Sequence, residues 1–118
     1  MLENSKLKNA FKLSSRVTIY IPSTTDIDKE VDTSSYIDGA ASLMSNLFGG
    51  ATSTPALGYW LSPAAGLVKE VSTMVFAYCS DSDLANGIDE LVNFCEKIKT
   101  ELKQEVIALE INGEMYFI

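Results

Sequence analysis

Three features of the sequence predict an α+β domain with the ferredoxin-like split βαβ order, an antiparallel sheet carrying two helices on one face. Residues 16–21 alternate between apolar and polar, as a half-buried strand does. Two longer stretches, from Ser35 and from Asp83, carry apolar residues at helical spacing. Between the helices lies a hairpin pattern, and after the second come a strand, an Asn112-Gly113 turn and one more strand. With right-handed crossovers the order βαββαβ closes into one sheet, and the added strand extends its edge.

In chain order, residues 1–15 form a lysine-rich extension that fits a short docked helix through Leu7, Ala10 and Phe11, or a frayed terminus. The domain proper is read as residues 16–118. Val17, Ile19 and Ile21 share the buried face of the first strand, and Pro22 ends it because proline has no N–H for a ladder. The acidic loop from Asp26 to Asp32 invites a calcium reading. It fails, because an EF-hand needs glycine at position six and glutamate at twelve, where this loop has Val31 and Ile37. No metal site is predicted.

Ser35 and Asp38 resemble a capping box for the first helix, whose apolar face is Ile37, Ala40, Ala41, Met44, Leu47 and Phe48. Gly49-Gly50 stops it, since glycine takes the left-handed cap conformation without a side-chain clash. Leu57 to Leu61 and Leu67 to Cys79 read as a hairpin around Ser62-Pro63-Ala64-Ala65-Gly66. Symmetric closure sets Trp60 opposite Val68 and Gly58 opposite Glu70, which puts Glu70 on the sheet face of Trp60. The pattern leaves open which face Met74, Phe76 and Tyr78 take. Asp81-Ser82-Asp83 supplies caps for the second helix, whose buried stripe is Leu84, Ile88, Leu91, Val92, Cys95, Ile98 and Leu102. Glu105 to Ile111 and Glu114 to Ile118 complete the sheet.

The one stretch with the makings of a site runs from Phe48 to Glu70. Gly49 and Gly50 allow close backbone approach, Thr52 offers a hydroxyl, Tyr59 and Trp60 offer rings for stacking, and Glu70 offers a charge. These six are the candidate ligand-binding residues, for a small molecule or nucleotide. A phosphate cradle is not indicated, because the glycines follow a helix, where the dipole is negative, and no Gly-Lys-Ser/Thr ending is present. The competing reading makes Gly49-Gly50 a helix stop, Trp60 a packing anchor and Glu70 a cross-strand residue.

Several chemistries lack their residues. The chain has no histidine, which removes Ser-His-Asp and Cys-His arrangements and the common zinc sites. Its two cysteines, Cys79 and Cys95, lack CxxC spacing and read as buried free thiols. No cofactor is implied, and an enzyme is the weaker expectation. A net charge of -7 with one arginine argues against direct nucleic-acid binding, and no run is long and apolar enough for a membrane span. A cytoplasmic domain is expected. It would act as a non-enzymatic small-ligand-binding or sequestering module, or alternatively as an acidic protein that inhibits or assembles with a protein partner. The helix-free sheet face also predicts a homodimer.

Tyr20-Ile21-Pro22-Ser23-Thr24, the Phe48-Gly49-Gly50-Ala51-Thr52 loop, Gly58 with Trp60, Glu70, and the ending Ile111-Asn112-Gly113-Glu114 with Tyr116-Phe117-Ile118 resemble an uncharacterised family. Its members are small proteins of Gram-positive bacteria, their plasmids and phages. The resemblance spans Val17 to Ile118 and implies no established activity, so it transfers no catalytic residue. Its mobile-element setting implies a role in conflict between phage and host.

Overall fold

A computed structural model describes residues 3–26 and 29–118. The elements are β1 (Ser15–Pro22), β2 (Thr24–Thr25), β3 (Lys29–Glu30), α1 (Ser34–Phe48), β4 (Thr52–Ser62), β5 (Gly66–Cys79), α2 (Asp81–Glu101), β6 (Ala108–Ile111) and β7 (Glu114–Phe117). The five-stranded sheet has the order β4-β5-β1-β6-β7 and every pairing is antiparallel. This is the predicted split βαβ arrangement with its extra hairpin strand; β2 and β3 form a separate two-stranded ribbon.

One face of the sheet is covered by the helices. Val17, Ile19 and Ile21 of β1, Val75, Ala77 and Cys79 of β5, and Ile107 and Leu109 at β6 meet Ala40 and Met44 of α1 and Leu84, Leu91, Cys95 and Ile98 of α2 in one core. That burial sets the phase of β5. Because successive strand residues alternate faces, Met74, Phe76 and Tyr78 lie on the helix-free face with Tyr20. The helices approach closely at Gly87, where an added Cβ would sit 3.2 Å from Leu47 and 3.4 Å from the Phe48 ring.

The helix ends differ from the sequence reading. Thr33, not Ser35, is the N-cap of α1 and makes no side-chain cap bond; instead the Asp32 carboxylate accepts from the Ser34 amide at 2.9 Å. Hydrogen bonds from the Ser34 hydroxyl and amide hold that carboxyl below its ordinary range. Ser80, rather than the Asp81-Ser82-Asp83 run, caps α2, accepting from the Asp83 amide at 3.1 Å. Asp81 and Asp83 contribute instead as charges in the positive first turn. The far end of α2 is closed by the β2 segment, since Asp26 N and Thr25 Oγ1 both donate to Leu102 O.

Two further expectations change. Residues 5–9 form turns, with Leu7 and Phe11 exposed, so no docked helix precedes β1 among the described residues. The strand of the central hairpin starts at Thr52 rather than Leu57, so Thr52, Ser53 and Thr54 belong to a strand and not to a loop. Pro55 sits inside it because β4 is an edge strand, where a missing N–H costs no ladder bond. Of the acidic loop, Ile27 and Asp28 lie outside the described residues; among the described ones no group of acidic or cysteine side chains is placed to hold a metal.

The hairpin β4-β5 is longer than the sheet it belongs to. β5 pairs with β1 only as far as Ser72 opposite Pro22, so residues 57–62 and 66–71 extend past the sheet as a two-stranded arm. The molecule measures 53 × 28 × 20 Å, and its radius of gyration of 16.1 Å exceeds the roughly 13.5 Å of a compact chain this long.

Candidate functional site

Gly49 caps α1 in the left-handed conformation, with φ 95° and its amide bonded to Ser45 O at 2.8 Å. The sequence reading of a glycine stop is therefore correct. The chain then turns through Gly50 and Ala51 into β4, where Thr52 stands opposite Phe76 on the helix-free face. The turn leaves a groove of about 470 Å³ lined by Leu13, Phe48, Gly49, Gly50, Ala51, Thr52, Phe76, Ala77 and Tyr78. The groove is shallow and open to solvent on one side.

Phe76 and Tyr78 meet edge to face, with ring centroids 6.4 Å apart. Arg16 on the neighbouring strand lies 5.4 Å from the Phe76 centroid and forms an ion pair with Glu110 at 3.1 Å. A hydrogen bond with Tyr78 and the charge of Glu110 raise the Arg16 pKa against the opposing effect of burial. The other Glu110 oxygen accepts from the Gly113 amide at 3.1 Å, which ties the pair to the Asn112-Gly113 turn. Arg16 therefore holds the aromatic wall of the groove in place.

Tyr59, Trp60 and Glu70 lie elsewhere. The predicted register holds, with Trp60 opposite Val68 and Gly58 opposite Glu70. The Trp60 indole donates to Glu70 Oε1 at 3.0 Å, and Trp60 remains 47% exposed. Tyr59, on the opposite face of the arm, carries the Lys69 ammonium 6.0 Å from its ring centroid. None of the three is a core residue. Eight strand positions separate Thr52 from Trp60, roughly 27 Å at the usual rise per residue. One chain therefore gathers Gly49, Gly50 and Thr52 into the groove and holds Tyr59, Trp60 and Glu70 out on the arm.

The sequence reading did not include Leu13, Phe48, Phe76 and Tyr78 among the site residues. The signal for the last two was present, because β5 alternates and only one of its phases buries Val75, Ala77 and Cys79 against the helices. Leu13 and Phe48 carried no such signal, since their place depends on how the N-terminal segment and the α1 end meet the sheet. Cys79 and Cys95 are buried free thiols, as expected. Burial and the charge of Glu96 push Cys95 up to about 12, and burial followed by the charges of Asp83 and Asp81 also raises Cys79. Among the described residues no helix is long and apolar enough to cross a membrane.

No protein-family model and no curated protein matches the sequence. Solved structures do match. A phage SAM lyase in complex with S-methyl-5'-thioadenosine is similar at TM-score 0.62 and 14% identity, over 92% of this chain and 94% of that one. A phage SAM lyase in the apo state is similar at TM-score 0.60 and 13% identity, over 94% of this chain and 93% of that one. At such identity the likeness is one of fold, and it extends over nearly the whole of each chain.

Proposed function

We propose that this protein binds S-adenosylmethionine and cleaves it to S-methyl-5'-thioadenosine, in a site built from the glycine groove of one copy and the arm of another. The observation that carries the reading is the aromatic, backbone-lined groove at Gly49–Thr52, on a fold shared end to end with proteins described as SAM lyases. The groove offers backbone polar groups, the Thr52 hydroxyl and an aromatic lining that includes Phe76 and Tyr78, which suit an adenine ring and a ribose.

The missing histidine does not count against this chemistry. A sulfonium is its own leaving group: breaking its bond to the amino-acid arm returns the electron pair to sulfur and cancels the positive charge. The arm's own carboxylate oxygen can supply the replacement pair, forming a C–O bond to the carbon that leaves sulfur and closing the amino-acid fragment into a five-membered lactone, with no water and no proton to remove. The protein has to orient the arm and exclude water, and neither task needs imidazole.

The second copy follows from the arm. Leu57, Tyr59, Leu61, Leu67 and Val71 all project into solvent there, Leu61 78% and Leu67 60% exposed. An isolated two-stranded hairpin is marginal in water, so such an arm calls for a permanent cover. Between Asp38 and Asp81 the only charged residues are Lys69 and Glu70, although the chain carries a net charge of -7. Depletion of charge is the mark of an interface core. A homodimer, or a larger ring of copies, brings Trp60 and Glu70 of one chain to the groove of the next and unites the six candidate residues. The setting we propose is cytoplasmic, in a phage or other mobile element in conflict with its host, where removing S-adenosylmethionine withholds the methyl donor of methylation reactions.

Chromatography of S-adenosylmethionine after incubation with the protein tests the reading. Release of S-methyl-5'-thioadenosine by the parent chain, and not by Glu70→Gln, supports it; an intact and unbound substrate rejects it. Sequestration is the second reading, favoured by a groove lining without any carboxylate or ammonium. It predicts that S-adenosylmethionine binds and is recovered intact when the protein is denatured.

A further inference from the structure

We infer that the glycine groove selects ligands by positive charge, admitting a sulfonium or similar onium centre in preference to its neutral analogue; this rests on the groove being the ligand site proposed above. A helix carries partial negative charge at its C-terminus, where the last carbonyls have no intrahelical donor. In α1 the Ser45 carbonyl is taken by the Gly49 amide, and helix geometry leaves those of Asn46, Leu47 and Phe48 without an intrahelical partner. Many helices offset this charge with a lysine or arginine in the last turn. This fifteen-residue helix has none there, and its cap, Phe48 to Ala51, forms one wall of the groove.

The aromatic residues at this sheet edge add to the effect. Phe48, Phe76 and Tyr78 are among the groove's lining residues, and ring quadrupoles attract cations that have shed water. No lysine, arginine, aspartate or glutamate among the described residues lines the groove, so no full charge in the lining opposes the helix carbonyls. Arg16, which lies over the Phe76 ring, is paired with Glu110 at 3.1 Å, so the two together add no net charge there. Lys12, next to Leu13 in sequence, lines a separate hollow on the N-terminal segment. A phosphate is poorly matched to such a groove, and an onium ion is well matched.

The test compares S-adenosylmethionine with its neutral thioether S-adenosylhomocysteine by calorimetry, at a temperature and over a time in which chromatography finds the sulfonium intact, on the full chain and on Asn46→Lys. Asn46 is exposed in the last turn of α1, so a lysine there offsets the helix charge without entering the core. The two effects of that lysine carry opposite signs. Melting temperature should rise or hold, because a cation suits a helix C-terminus, while affinity for S-adenosylmethionine should fall about two- to five-fold with the thioether unaffected. Asn93→Lys, the same charge change at an exposed site in the middle of α2, should leave both affinities alone. The parent should prefer the sulfonium by at least about five-fold. Equal affinities, or an Asn46→Lys variant that weakens both compounds alike, would overturn the inference. Trimethylsulfonium, observed by saturation transfer from the protein, separates charge selection from the adenosyl reading. If no adenosyl compound binds, transfer to trimethylsulfonium that Asn46→Lys diminishes keeps the inference and rejects the adenosyl reading; absence of transfer rejects both.

Discussion

The Trp60 indole nitrogen donates to the Glu70 carboxylate at 3.0 Å, across two strands of an arm that leaves the sheet of its own chain. The bond orients a negative charge beside an exposed aromatic ring where no part of the core requires either. Its value to the fold is small, since exposed pairs of this kind contribute under about 1 kcal/mol.

Replacing Glu70 by glutamine separates charge from structure. The new amide retains an oxygen that can accept from Trp60, so the unliganded melting temperature should stay within about 2 °C of the parent, as for surface changes under ~0.5 kcal/mol. Thermal stabilisation by S-adenosylmethionine should be lost. A variant stabilised as much as the parent would remove Glu70 from the site.

Self-association should depend on the arm. Sedimentation or light scattering of the parent should give a mass above one chain at micromolar concentration, and Leu61→Lys with Leu67→Glu should give monomer. Both side chains are exposed, so the substitutions leave the helix-covered core intact. A parent that remains monomeric at high concentration would contradict the shared site.

The core makes a separate prediction. Leu91 is fully buried between the α2 backbone and the sheet, and Leu91→Ala should cost about 2–5 kcal/mol in denaturant unfolding. A loss under about 1 kcal/mol would contradict the packing of α2 into the core against β1.

Both thiols should be unreactive in the native protein near pH 8 and react fully in denaturant, because burial keeps them protonated. The sign with pH follows from the raised native value. The folded state holds the Cys95 proton longer than the unfolded state does, so this group's contribution to stability is full below about 9 and is lost as pH rises toward about 12. Rapid labelling of Cys95 in the native state would place it outside the core.

The fold was readable because its signals are local. The alternation of Val17, Ile19 and Ile21, the helical spacing from Ala40 to Met44 and from Leu84 to Leu102, and the Asn112-Gly113 turn each act within a few residues. The symmetric loop at Ser62 to Gly66 even set the Trp60 and Val68 register. Caps were misplaced by one or two residues, since Ser80 and Asp81 are both good caps and only backbone geometry chooses between them. The candidate site was legible as a list of residues but not as one place. Sequence proximity between Thr52 and Glu70 suggested contact, whereas an uninterrupted β4 carries Trp60 and Glu70 away from the groove.

Mixing two defective variants measures most directly whether one site is assembled from two chains. Glu70→Gln disables the arm half. Gly50→Phe fills the groove half: Gly50 does not need a left-handed backbone, and an added Cβ there meets nothing within 4 Å, so the chain can fold around the new ring. Each variant alone should fail to bind S-adenosylmethionine in calorimetry. Unfolded together and refolded as a mixture, they should regain part of the parent's binding capacity, because a mixed assembly contains one intact arm facing one intact groove. A mixture as inert as its components, from variants shown by light scattering to co-assemble, would contradict the shared site.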